Sequence, residues 1–108
     1  MSSVRAILTA PARARVGEVV QISALVQHPM ETGYRQGPDK EPLPRDLIRR
    51  VQARFDGELV FAAELHAAIA ANPYLSFDMR LPRSGVLSVI WTGDRGLSHT
   101  ESQRIDAV

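Results

Sequence analysis

The sequence predicts an all-β fold: an immunoglobulin-like antiparallel β-sandwich of about seven strands, in a single domain over residues 1–108. Three observations carry that expectation. Apolar and polar residues alternate in short runs, the period of a strand with one face buried. The runs recur every 8–15 residues or so. Between them sit Gly, Pro and Asp, the residues that turns require. With 108 residues, of which 44% are hydrophobic, the chain is large enough for one compact core.

Each element has its own justification. "VRAILTA" (residues 4–10) is a first short strand, stopped by Pro11. "EVVQISALVQH" (18–28) sets Val20, Ile22, Ala24 and Val26 on one face. Gln21, Ser23 and Gln27 lie on the other, with Leu25 as its one apolar member. Residues 29–45 hold four prolines and two glycines, so a long crossover replaces regular pairing. "LIRRVQARFDGELVFAAELH" (47–66) is a hairpin that turns at Asp56-Gly57, where positive φ is tolerated. Its first strand buries Val51, Ala53 and Phe55, and Arg49, which shares their parity, must sit at the strand margin or beside a bulge.

Residues 67–72, "AAIAAN", have a local helical bias that must end before Pro73. "YLSFDMRL" (74–81) points Leu75, Phe77, Met79 and Leu81 inward. "PRSG" turns the chain into "VLSVIWT" (86–92), apolar enough for a central strand, with Trp91 its largest core residue. "GDRG" (93–96) is a second hairpin turn, and the polar "LSHTESQRIDAV" (97–108) is an edge strand.

Composition narrows the function. There is no cysteine, hence no disulfide, thiolate metal ligand or cysteine nucleophile. Thirteen basic residues against twelve acidic ones leave a net charge of +1, too little to point to nucleic acid. No run approaches the roughly 20 apolar residues of a membrane span. The stretch "MSSVRAILTAPARARVG" lacks the apolar core of a secretory signal, so none is expected. No Gly-x-Ser-x-Gly elbow and no Gly-rich phosphate loop is present. Glu31, Asp39 and Glu41 all fall on the irregular crossover, so no catalytic residue and no cofactor is expected. Arg45, Arg49, Arg50 and Arg54 form a basic stripe, which suits a solvated edge-strand face or a partner contact.

The segment "HPMETGYR" stands out: His28, Pro29, Met30, Glu31, Thr32, Gly33, Tyr34 and Arg35. One reading is structural, with Pro29 closing a strand, Met30 plugging the open end of the sandwich and Gly33 turning the chain. The other is a partner-binding loop that displays Met30, Glu31, Tyr34 and Arg35, types suited to contact surfaces. The Asn72-Pro73-Tyr74 turn is read either as a second contact or as turn chemistry alone, with Asn72 ending the short helix and Pro73 forbidding its continuation. A rival reading from another class is a copper- or zinc-binding sandwich that uses His28 and Met30 with His66 or His99.

"HPMETGYR", "PRDLIRR", "ELVFAAELHAAIAANPYLSF" and "WTGDRG" together resemble the SoxZ family, the small subunit of the SoxYZ carrier complex of sulfur oxidation. The likeness runs from Val4 to the last strand. It implies a non-catalytic partner of SoxY, whose flexible C-terminal arm bears a cysteine carrying the intermediates of thiosulfate oxidation. It also implies a periplasmic location, reached by export with the partner, and transient visits from other sulfur-oxidation enzymes. Without the partner, an apolar interface would favour a homodimer or larger aggregate. Ala67 and Gly93 depart from the family pattern, which commonly has proline and an acidic residue there.

Overall fold

Among the described residues, alternation along the chain becomes eight strands in two facing sheets. The computed structural model describes residues 5–28, 30, 33–34, 36–38, 40–41, 45–65 and 71–108. The strands are β1 (Arg5–Thr9), β2 (Arg13–Ala14), β3 (Val19–Gln27), β4 (Ile48–Phe55), β5 (Glu58–Glu64), β6 (Tyr74–Arg80), β7 (Gly85–Gly93) and β8 (Ser98–Ala107). One sheet has the order β1-β3-β6, the other β2-β8-β7-β4-β5. Every pairing is antiparallel except the short β2–β8 contact. The immunoglobulin-like sandwich expected from the sequence is the fold observed. Most of the expected helical turn at 67–72 lies outside the described residues. Among those residues, no helix is long and apolar enough to cross a membrane.

The core forms where the inward faces meet. Val20, Ile22, Ala24 and Val26 of β3 pack in one cluster with Val51, Ala53 and Phe55 of β4 and Leu87, Val89 and Trp91 of β7. Burying each large side chain stabilises the fold by about 1.5–3 kcal/mol. Phe61 of β5 stacks on Phe77 of β6, with centroids 4.5 Å apart and planes within 2°, which joins edge strands of the two sheets. β7 is central, with β4 on one side and β8 on the other.

Turn and bulge chemistry follows the residue types. Asp56 and Gly57 both take positive φ, 51° and 84°, as a tight hairpin turn needs. Gly85 approaches that turn so closely that a Cβ would lie 2.6 Å from Asp56 Oδ2. The β4–β7 register breaks between Ile48 and Arg50. Ile48 and Val51 are buried while Arg49 and Arg50 are both exposed, so Arg49 does sit at a bulge.

The "GDRG" segment is the hairpin turn expected, joining antiparallel β7 and β8 through a single 3-10 turn, Asp94–Gly96, with Arg95 and Gly96 at φ 60° and 73°. One detail differs from expectation. The last strand is an edge over most of its length, but Arg13 and Ala14 pair with Asp106 and Ala107 at its end. Two residues are too few to show a period, so nothing in the sequence marks β2.

Trp91→Ala should cost about 3–5 kcal/mol, because it opens a cavity at the contact between the sheets. Urea unfolding of the two proteins, compared at equal m-value, measures it directly.

Candidate partner-binding site

The segments singled out in the sequence meet at one end of the sandwich. β3 ends at Gln27 and β6 begins at Tyr74, with Leu25 paired to Tyr74. Beyond that pair the strands are stitched by irregular bonds. Val26 N–H donates to the Pro73 carbonyl (3.1 Å), and Asn72 N–H donates to the His28 carbonyl (2.7 Å). His28 N–H in turn donates to Asn72 Oδ1 (2.8 Å). This two-way clasp holds Asn72 at φ 54°, a conformation asparagine tolerates better than most side chains.

His28 is 5% exposed, and its ring is committed on both sides. Nδ1 accepts from Met30 N–H at 3.0 Å. The ring proton therefore sits on Nε2, which lies 3.4 Å from Asp46 Oδ1. Met30 takes φ 54°, a strained conformation for a long side chain. The His28 bond and the burial of its thioether compensate: Met30 is 5% exposed, and its Sδ accepts from Ile48 N–H at 3.3 Å. Gly33 has φ 94°, a conformation that favours glycine, while a Cβ there would make only ordinary contact with Arg45 Cβ at 3.4 Å.

A second knot lies next to the first along the chain. Asp94 Oδ1 accepts from Arg49 Nε (2.7 Å), and Oδ2 accepts from Leu47 N–H (3.1 Å) with Arg45 Nε at 3.3 Å. The Asp94 N–H returns a bond to the Leu47 carbonyl (2.8 Å). The Arg49 hydrogen bond holds the Asp94 carboxyl below its usual 3.8; burial opposes this, and Leu47 and Arg45 reinforce it. Gly93 sits so near this segment that a Cβ would lie 2.3 Å from the Leu47 carbonyl oxygen. Any side chain at this position would force the backbone of residues 47–48 to move.

Residues 45–49 thus join the His28 loop through Asp46 and the Asp94 turn through Arg45, Leu47 and Arg49. Of the candidate contact residues, Tyr34 is 90% exposed, Tyr74 is 65% exposed and Asn72 is exposed. His28, Met30 and Pro73 are buried and shape the loop from beneath. Pro29, Glu31, Thr32 and Arg35 lie outside the described residues. Tyr74 also donates its hydroxyl to Ser23 Oγ (3.1 Å), which fixes the ring over the outer face of the smaller sheet.

The copper or zinc reading would draw on donors already in use: both His28 nitrogens and the Met30 sulfur have partners. His99 Nε2 bonds Glu101 Oε1 at 2.9 Å and its ring lies 6.0 Å from that of Trp91. Among the described residues, no group of three or more His, Asp or Glu could hold a metal ion; His66 lies outside them. Asp46 and Asp94 escaped the sequence reading. Their only local signal is adjacency to arginines.

A family model described as sulphur oxidation protein SoxZ matches residues 7–104. Individually curated protein sequences give no match. Among solved structures, a superoxide reductase (neelaredoxin) from Ignicoccus hospitalis is similar at 19% identity and a TM-score of 0.75, over 95% of this chain and 80% of that one. A CARDB domain from Pyrococcus furiosus, solved in complex with di-metal ions, is similar at 11% identity and a TM-score of 0.58, over 98% of this chain and 94% of that one. At such identities the structural likeness speaks to fold alone.

Two outcomes test this geometry. Asn72→Ala should cost about 1–2 kcal/mol, because it loses the bond to His28 and strains the backbone, and Asn72→Gly should cost less. Thermal denaturation of the pair separates the two causes. Asp94→Asn should be less stable than the native chain at pH 7. Because the folded pKa is depressed, the Asp94 contribution is present above 3.8 and fades as the pH falls through the folded value. Stability measured from pH 7 to pH 2 should show the gap between the two proteins closing below 3.8.

Proposed function

The chain belongs to the SoxZ family, and on that premise we propose that it is the non-catalytic half of a sulfur-carrier complex. It grips a SoxY-like partner whose flexible arm bears the cysteine, and helps present that sulfur to the enzymes of the pathway. The observation that carries the reading is the family match over residues 7–104 in a chain with no cysteine. A thiol-free chain cannot hold sulfur as a persulfide or thiosulfonate, so the covalent work falls to another subunit. The complex works in the periplasm and is exported together.

Geometry supports a gripping role through the outer face of the three-stranded sheet. Register places Ile7, Leu25 and Tyr74 side by side across β1, β3 and β6. Ile7 and Tyr74 are exposed, so this is an apolar row on a face whose other β3 members are Val19 and the polar Gln21, Ser23 and Gln27. Next to it lie Thr9, Ser23 and Ser76, small and uncharged, which leaves a flat surface for a second sheet. Tyr34 extends the candidate contact at the loop end. Without its partner, such a face favours self-association.

Coexpression with the cysteine-bearing partner tests this. The two chains should elute together, and Tyr34→Ala with Tyr74→Ala should weaken the complex tenfold or more while leaving the melting temperature nearly unchanged. Met30→Ala should instead lower the melting temperature, because Met30 is buried. If the tyrosine variants lose only thermal stability, the surface is structural and the reading of the site is wrong. Purified alone at tens of micromolar, the chain should sediment as a dimer or larger species, and a purely monomeric profile would count against the apolar interface.

A further inference from the structure

We propose that the bulged start of β4 is a binding site for a tetrahedral oxyanion of the sulfate or sulfonate type. The choice of sulfur chemistry rests on the carrier reading; the site itself rests on Arg49 and Arg50, which line one notch, with Arg45 held on the same carboxylate as Arg49. Regular alternation would send one of any two successive residues into the core. The register break between Ile48 and Arg50 instead turns both Arg49 and Arg50 to solvent. Bulges re-aim side chains in this way and gather beside functional sites.

The guanidiniums are positioned as well as exposed. Arg49 Nε is held by Asp94 Oδ1 at 2.7 Å, and Arg45 Nε faces Asp94 Oδ2 at 3.3 Å. With its amide turned to satisfy both ends, Gln52 accepts from Arg50 Nη2 (2.9 Å) and Nε (3.0 Å). Anchored arginines lose little further freedom when an anion arrives, and their planar forks match oxyanion geometry.

A notch of about 330 Å³ opens between Arg49, Arg50, Glu64 and Leu65, ample for a four-oxygen anion. Asp94, only 14% exposed, and Arg45 are not among the residues that line the notch. Glu64, opposite Arg50 in the β4–β5 register, is the opposing charge on the wall and sets a limit on affinity. That limit makes the site testable in both directions. The anion has two possible sources: it is free in solution, or it is the terminal sulfonate of a loaded cysteine on the partner's arm.

Sodium sulfate titrated into the full-length chain, against sodium chloride at matched ionic strength, probes the first source. A peptide with an S-sulfonated cysteine probes the second. Both are followed through the arginine Nε–H signals in nitrogen-15 NMR. The Arg49 and Arg50 signals should shift saturably with at least one of the two. Arg50→Gln, which leaves the Asp94 bonds in place, should weaken binding fivefold or more. Glu64→Gln should tighten it, an effect no purely structural role would produce. A lower midpoint for the peptide assigns the site to the loaded arm, and an equal or higher one to the free anion. Shifts that follow ionic strength alone, or that neither variant changes, overturn the proposal. Failure of the partner to coelute would leave this result standing, so the two readings fail separately.

Discussion

The imidazole of His28 governs the loop end of this sandwich. It lies at the point where β3 gives way to irregular chain, and it satisfies groups that strand pairing no longer reaches. Its Nδ1 takes the Met30 N–H, its Nε2 faces Asp46, and its own backbone closes a two-way clasp with Asn72. Buried polar groups left without partners are costly, so one side chain that answers for several of them fixes the path of the chain around it. Met30 can then occupy a left-handed conformation, its sulfur drawn in to the Ile48 amide.

From that anchor the remaining geometry follows in sequence. Asp46 ties residues 45–49 to the His28 loop, and the same stretch is tied on its other side to Asp94. Gly33 permits the positive φ of the loop, and Gly93 permits the close approach to Leu47. A chain without disulfides thereby holds its longest crossover with hydrogen bonds, an ion pair and a buried thioether. The rigid base leaves Tyr34 and Tyr74 as the aromatic features of the surface.

Much of the fold was legible because its signals are local. Period-two alternation placed the seven principal strands, Asp56-Gly57 marked its hairpin, and the parity of Arg49 announced the bulge. β2 was not legible, since Arg13 and Ala14 carry no pattern of their own. The site was legible only in part. "HPMETGYR" and "NPY" could be recognised as unusual, but not that His28 and Asn72 clasp across 44 positions, or that Asp94 reaches Leu47 across 47. Bonds between a side chain and a distant backbone amide leave no periodicity. The same gap explains Met30, whose residue type suits a contact surface and a core equally well; only the His28 and Ile48 bonds decide for the core.

The division of labour inferred here places all covalent sulfur chemistry on the partner and none on this chain, whose sequence offers no thiol to carry it. Intact-mass measurement of the purified two-chain complex, after incubation with thiosulfate and the pathway enzymes, tests that most directly. The account predicts a sulfur adduct on the cysteine-bearing subunit and an unaltered mass for this one. A sulfur adduct on this chain, or turnover of thiosulfate by this chain without a partner, would contradict it.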